Sequence, residues 1–173
     1  MNRWSQGLSL VLFANLLATG CRQSPAGAAP EAATPDLAGA WRATLQFRSG
    51  AFAAIKDLEF MYVYNAGGTM TESSNYDAAP PVPPAYGIWR RAGPKEFEAK
   101  YEFYITRAPA AFGEIVKGGG WLPAGRGVFV EVITLSDDGR SFTSRIRYEV
   151  FDPAGTPIEG GGEADGQGVR LSF

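Results

Sequence analysis

Apolar and polar residues alternate with period two through most of the chain beyond residue 36. Trp41, Ala43, Leu45 and Phe47 share one face, and Arg42, Thr44 and Gln46 the other. Leu58, Phe60, Tyr62 and Tyr64 alternate with Glu59, Met61 and Val63. Phe97, Ala99, Tyr101, Phe103 and Ile105 alternate with Glu96, Glu98, Lys100 and Glu102. Val128, Val130 and Val132 stand against Phe129, Glu131 and Ile133, and Phe142, Ser144, Ile146, Tyr148 and Val150 against Thr143, Arg145, Arg147 and Glu149. A final run holds Val169, Leu171 and Phe173. Successive side chains of a strand point to opposite faces, so each run predicts a strand with one dry face.

Turn signals separate the runs. Asn65–Gly68, Ser136–Gly139, Asp152–Gly155 and Ala164–Gly168 each set Gly beside Asp or Asn, residues that tolerate the positive φ of tight hairpins. Gly67-Gly68-Thr69-Met70-Thr71 and Gly139-Arg140-Ser141-Phe142-Thr143 echo one another as equivalent hairpin starts. About nine candidate strands joined by sequential hairpins predict an all-β fold. Its expected form is a single antiparallel up-and-down meander closed into an 8–9-stranded, lipocalin-like barrel, since closure removes exposed strand edges. A two-sheet β-sandwich is the alternative. One short helix is expected within Ala108 to Lys117.

The start of the chain follows another pattern. Arg3 precedes a short apolar run, Leu8 to Leu17, about half the roughly twenty residues a membrane-spanning helix needs. That length suits an export signal. Leu17-Ala18-Thr19-Gly20-Cys21 resembles the bacterial lipobox, with Ala18 where Leu is commonest. The resemblance implies cleavage after residue 20 and acylation of Cys21, the single cysteine, which therefore has no disulfide partner within the chain. Residues 21–36, rich in Ala and Pro, cannot bury enough surface to offset their ordering entropy and are expected to form a disordered tether. Residues 37–173 form the domain. By resemblance to enteric lipoproteins, where Asp after the cysteine favours retention in the inner membrane, Arg22 allows the outer membrane, and an exported protein anchored there and facing the periplasm is expected.

Composition narrows the chemistry. With 16 Lys and Arg against 18 Asp and Glu, the chain carries a net charge of −2 and shows no basic stripe, so no nucleic-acid partner is indicated. It contains no histidine, which removes the usual general base and the usual zinc ligand. Asp137-Asp138 needs no metal to form a hairpin turn, and no cofactor or metal is expected. Any enzyme here would work with Glu, Tyr or Arg, and the reading leans against catalysis.

Gly39-Ala40-Trp41 at the start of the first strand resembles the opening of lipocalin and wider calycin barrels. The resemblance implies a tryptophan packed across one barrel end and an arginine from the last strand over its ring, here Arg170. The chain departs from that pattern in lacking a Thr-Asp-Tyr signature and in carrying a second Gly-x-Trp, Gly87-Ile88-Trp89. Gly67 to Ser74, Tyr86 to Gly93 and Leu135 to Phe142 are also similar to a set of bacterial exported proteins with lipocalin-like barrels, which implies a fold but no activity.

Three regions are candidate sites. Thr71 to Trp89 holds Glu72 and Tyr76 before a proline-stiffened loop, Pro80 to Pro84, and reads either as a lid at a barrel mouth or as a solvated connection. Lys117 to Gly127 presents Trp121, either as a gate or folded over the barrel end. Tyr62, Trp89, Arg91, Tyr101, Phe103, Arg147 and Tyr148 would, if they face inward, suit an amphipathic ligand with an acidic head; otherwise they are core and exterior charge. The leading expectation is a lipid-anchored envelope barrel that binds a small hydrophobic or amphipathic ligand. The alternatives are a protein or cell-wall interaction module, with its partner unknown, and a histidine-free enzyme built on Glu72.

Overall fold

A computed structural model describes residues 35–76, 83–114 and 121–173. Eight strands run in chain order: β1 Gly39–Phe47, β2 Leu58–Tyr64, β3 Thr69–Ser74, β4 Ala85–Arg91, β5 Glu96–Arg107, β6 Leu122–Leu135, β7 Ser141–Phe151 and β8 Pro157–Arg170. Each pairs antiparallel with the next, and β1 pairs with β8, so the meander closes into a barrel without an open edge. Among the described residues there is one turn of helix, beginning at Phe112. Part of the helix expected within Ala108 to Lys117, the signal-like segment, Cys21, and Pro80 and Pro81 lie outside the described residues.

Period-two burial sets the interior. Along β2 buried and exposed residues alternate without a break from Leu58 to Tyr64. The apolar runs of β1, β5 and β7 likewise turn their aromatic faces inward. On β6 the interior set is Phe129, Glu131, Ile133 and Leu135, while Val132 faces solvent.

Two sequence expectations need correction. Ala164 to Gly168 is no turn; it lies within β8, with Ala164, Gly166 and Gly168 facing inward. The physical reason is volume. A Cβ on Gly168 would sit 2.2 Å from the Phe142 ring, so β8 supplies space that its neighbours' rings fill. The final strand accordingly ends at Arg170, leaving Val169 and Leu171 exposed. The second correction concerns the glycine-rich segment Lys117 to Gly127: Leu122 to Gly127 belongs to β6. There Gly127 leaves room for the rings of Phe103 and Tyr148, which a Cβ would meet at 2.4 and 2.8 Å.

The two ends of the barrel differ. The hairpin turns at 65–68, 92–95 and 136–140 gather at one end, together with residues 35–38. Here Trp41 is fully buried, its ring edge-on to Phe142, and its Nε1 donates to Leu37 O at 2.9 Å. Arg170 is the cross-strand partner of Trp41, and its guanidinium lies 4.2 Å over the indole. The same guanidinium donates to Gly139 O at 2.8 Å, to Ala38 O at 2.6 Å and to Asp36 O. Arg91 donates to Pro35 O at 2.9 Å, so the last residues of the predicted tether are fastened to this end. Residues 48–57, the described parts of the β3–β4 and β5–β6 connections, and the turn at 152–156 lie at the opposite end, which is the mouth.

Candidate functional site

A cavity of about 290 Å³ opens at the mouth. Its walls are mainly aromatic: Phe47 from β1, Phe60 from β2, Phe103 from β5, Phe129 from β6 and Tyr148 from β7. Phe129 stacks on Tyr148 at 4.7 Å and on Phe103 at 5.8 Å between ring centroids, so the rings form a continuous slab. The β1–β2 connection adds Phe52, whose ring tilts against Phe47 at 5.3 Å and against Tyr148 at 5.6 Å. Tyr76 meets Phe52 edge-on at 5.4 Å and forms part of the rim.

The loop carrying Phe52 is held by a run of glycines. Arg48 N donates to Glu163 O at 2.7 Å, and Glu163 N donates to Ser49 Oγ at 3.1 Å. Gly50 takes φ +83° and lies against the backbone of Gly161 and Gly162; a Cβ there would come within 1.7 Å of Gly161 O. Two backbones can approach this closely only where neither carries a side chain. The Gly160-Gly161-Gly162 run of β8 thus fixes one wall of the mouth.

Polar groups reach the wall at Glu72, Ser74, Tyr76 and Glu159. Glu72 is a β3 residue whose side chain points inward and is only 6% exposed. Deeper in the barrel sits Glu131, wholly buried. Tyr101 OH donates to its Oε2 at 3.0 Å, and the Tyr101 and Tyr62 hydroxyls share a hydrogen bond of 3.2 Å. Burial pushes the Glu131 carboxyl up to about 7, against the pull of the neighbouring Ser144, Tyr101 and Tyr62 hydroxyls. Burial and then the Glu131 charge hold the Tyr62 and Tyr101 phenols well above their ordinary range. The Tyr148 phenol is raised to about 12 by burial alone.

The sequence-predicted residues therefore fall into separate places. Glu72, Tyr76 and Phe103 meet at the cavity, and Tyr148 joins them. Tyr62 and Tyr101 belong to the packed barrel around Glu131. Trp89 and Arg91 stand at the closed end: Trp89 Nε1 donates to Asn65 O at 2.9 Å, and Arg91 lies 4.5 Å over Phe97. Arg147 points outward beside Glu149 at 3.6 Å. Trp121 is partly exposed just before β6, and does not line the cavity. An inward cluster of aromatics and arginines around one site, one reading of the sequence, is not formed: Arg147 points outward, and Arg91, on the face of Phe97, covers the closed end away from the cavity.

Sequence reasoning missed Phe52, Glu131 and Glu159 as parts of the interior and its mouth. A signal for Glu131 was present, because it is the one charged residue on the face shared by Phe129 and Ile133. It stayed hidden because the opposite face, Val128, Val130 and Val132, is wholly apolar and reads equally well as core. Among the described residues no cluster of His, Cys, Asp and Glu could hold a metal ion, and no helix is long and apolar enough to cross a membrane. No protein-family model matches the chain, and no curated protein matches it.

Proposed function

We propose that this protein is a lipid-anchored envelope protein whose barrel takes up a small hydrophobic or amphipathic ligand at its mouth. The observation that carries this reading is the cavity of about 290 Å³, walled by Phe47, Phe52, Phe60, Phe103, Phe129 and Tyr148, with Glu72 reaching its surface. Ligand pockets are typically concave and mostly apolar, with a few placed polar groups, and barrel mouths are one of their usual positions. In a barrel of eight strands the interior is wide enough either to be filled by side chains or to hold one small molecule. Here the closed end follows the first course and the mouth leaves room for the second.

The anchor rests on the sequence. In this reading Cys21 carries the acyl chains, and several chains bind a bilayer stably where one is marginal. Export and an outer-membrane position facing the periplasm follow from the signal-like segment and from Arg22. Residues 35–38 join the barrel at the closed end, which leaves the mouth clear of the tether's attachment.

Two experiments test this. Native mass spectrometry of the full chain, purified gently from its host's envelope, is expected to show added mass that leaves on denaturation. A bare polypeptide mass, together with failure to bind any apolar probe afterwards, would contradict the pocket reading. Replacing Cys21 by Ser is expected to release the protein from the membrane fraction; unchanged membrane association would contradict the anchor.

A further inference from the structure

The cavity's electrostatics name a ligand class. Among the described residues that line it, the carboxyl side chains are Glu72 and Glu159, and there is no Lys or Arg. The next ionisable group inward is again a carboxyl, Glu131. The arginines that in the sequence suggested an acidic ligand head lie elsewhere. Arg91 is engaged with Pro94 O at 2.8 Å and Pro35 O at 2.9 Å, and Arg147 is paired on the outer surface. Much of the remaining wall is aromatic, Phe47, Phe52, Phe60, Phe103, Phe129 and Tyr148, and aromatic rings attract cations through their quadrupoles.

Resting on the pocket reading above, we infer that the cavity selects a hydrophobic molecule with a positively charged, amine-type head. The apolar tail lies against the Phe129, Tyr148 and Phe103 slab, and the ammonium sits within reach of the Glu72 carboxylate. An ammonium gains from ring faces and carboxylate together, and both contributions grow as water is excluded. A fatty-acid carboxylate of equal length meets carboxyl groups, and no Lys or Arg among the described lining residues offsets its desolvation. A neutral alcohol falls between the two.

The test is isothermal titration of the full chain at neutral pH with octylamine, octanol and octanoate, which differ chiefly in the head. Octylamine is expected to bind about tenfold or more tighter than octanol, with octanoate the weakest. Glu72→Gln, nearly isosteric, is expected to bring octylamine down to the level of octanol while leaving octanol unchanged. Glu159→Gln at the exposed rim is expected to act in the same direction by a smaller factor. Octanol or octanoate equalling octylamine on the parent chain would overturn the choice of head while leaving the pocket reading intact. Binding of none of the three would overturn the pocket reading, and this inference with it. Should Glu72→Gln fail to fold, the three-ligand comparison on the parent chain still decides the question.

Discussion

The two ends of this barrel are built from the same residue types and reach opposite results. At the closed end Trp41, Met70, Phe97 and Phe142 are all buried, and Gly168 of β8 leaves the room that the Phe142 ring fills. Each nitrogen of the Arg170 guanidinium donates to a backbone carbonyl, of Gly139, Ala38 or Asp36. At the mouth Phe47, Phe60, Phe129 and Tyr148 are just as well buried, yet they line a cavity, although Phe60 and Phe129 still meet across the barrel at 5.8 Å between ring centroids. The difference comes from what plugs each end. Short hairpins and a returning N-terminal segment bring Leu37 and Arg170 down on Trp41, whereas the mouth is bounded by a longer loop pinned to one side of the rim. Aromatic content thus does not decide whether a small barrel is solid; the lengths and anchoring of its connections do.

The comparison can be broken most forcefully at Trp41. Trp41→Ala is expected to destabilise the barrel by about 3–5 kcal/mol in chemical denaturation, as for large buried aromatics elsewhere. Phe103→Ala at the mouth, where the ring already borders empty space, is expected to cost less than half as much. Equal losses would mean the two ends are packed alike.

Next in size is the pH response of the zone between them. Glu131 carries a carboxyl raised by burial to about 7, against an ordinary value of 4.5. The folded chain therefore holds a proton that the unfolded chain has released, and stability falls as pH rises from about 4.5 to about 7. Below that window both states are protonated, and above it both are ionised. The loss across the window is on the order of 3 kcal/mol. Glu131→Gln is expected to flatten this slope and to leave the variant more stable than the parent above pH 7. A slope that persists in the variant would remove Glu131 as its source.

Smaller effects come from the loop that walls the mouth. Gly50→Ala forces a side chain into a backbone at φ +83° and against Gly161 O, at a cost of about 1–3 kcal/mol. Its stronger expected consequence is release of the loop and loss of octylamine binding. Phe52→Ala, at a half-buried ring, is expected to lower stability by about 1 kcal/mol or less while weakening the same binding. If both variants bind as the parent does, the loop is not part of the site.

Much of the fold was legible in the sequence because barrel strands obey one rule, alternation, and most of these strands obey it cleanly. Alternation and the turn signals between the runs gave the meander, and the cost of open edges favoured its closure over a sandwich; the faces that the structure turns inward on β1, β2 and β5 are the apolar sets of that alternation. The Trp41–Arg170 pair was named through a resemblance, and the structure sets the guanidinium over the ring. What was not legible depends on neighbours. Ala164 to Gly168 reads as a turn locally, and is a strand because Phe142 and other rings need its empty volume. Glu131 is interior because β6 has a valine face that the barrel turns outward, and no local pattern ranks Phe129-Glu131-Ile133 above Val128-Val130-Val132. Glu72 was visible as a polar candidate, but the residues that share the cavity with it, Phe52 on the β1–β2 connection and Glu159 on β8, lie far apart in sequence.

The most direct test of the asymmetry is an amide-resolved NMR titration of the full chain with octylamine. Shifts are predicted to gather on residues 47, 52, 58, 60, 72, 74, 103 and 148, which surround the mouth, and to spare Trp41, Met70, Phe97 and Phe142. Shifts centred on the closed end, or no shifts at any residue as octylamine is raised to its solubility limit, would contradict the account.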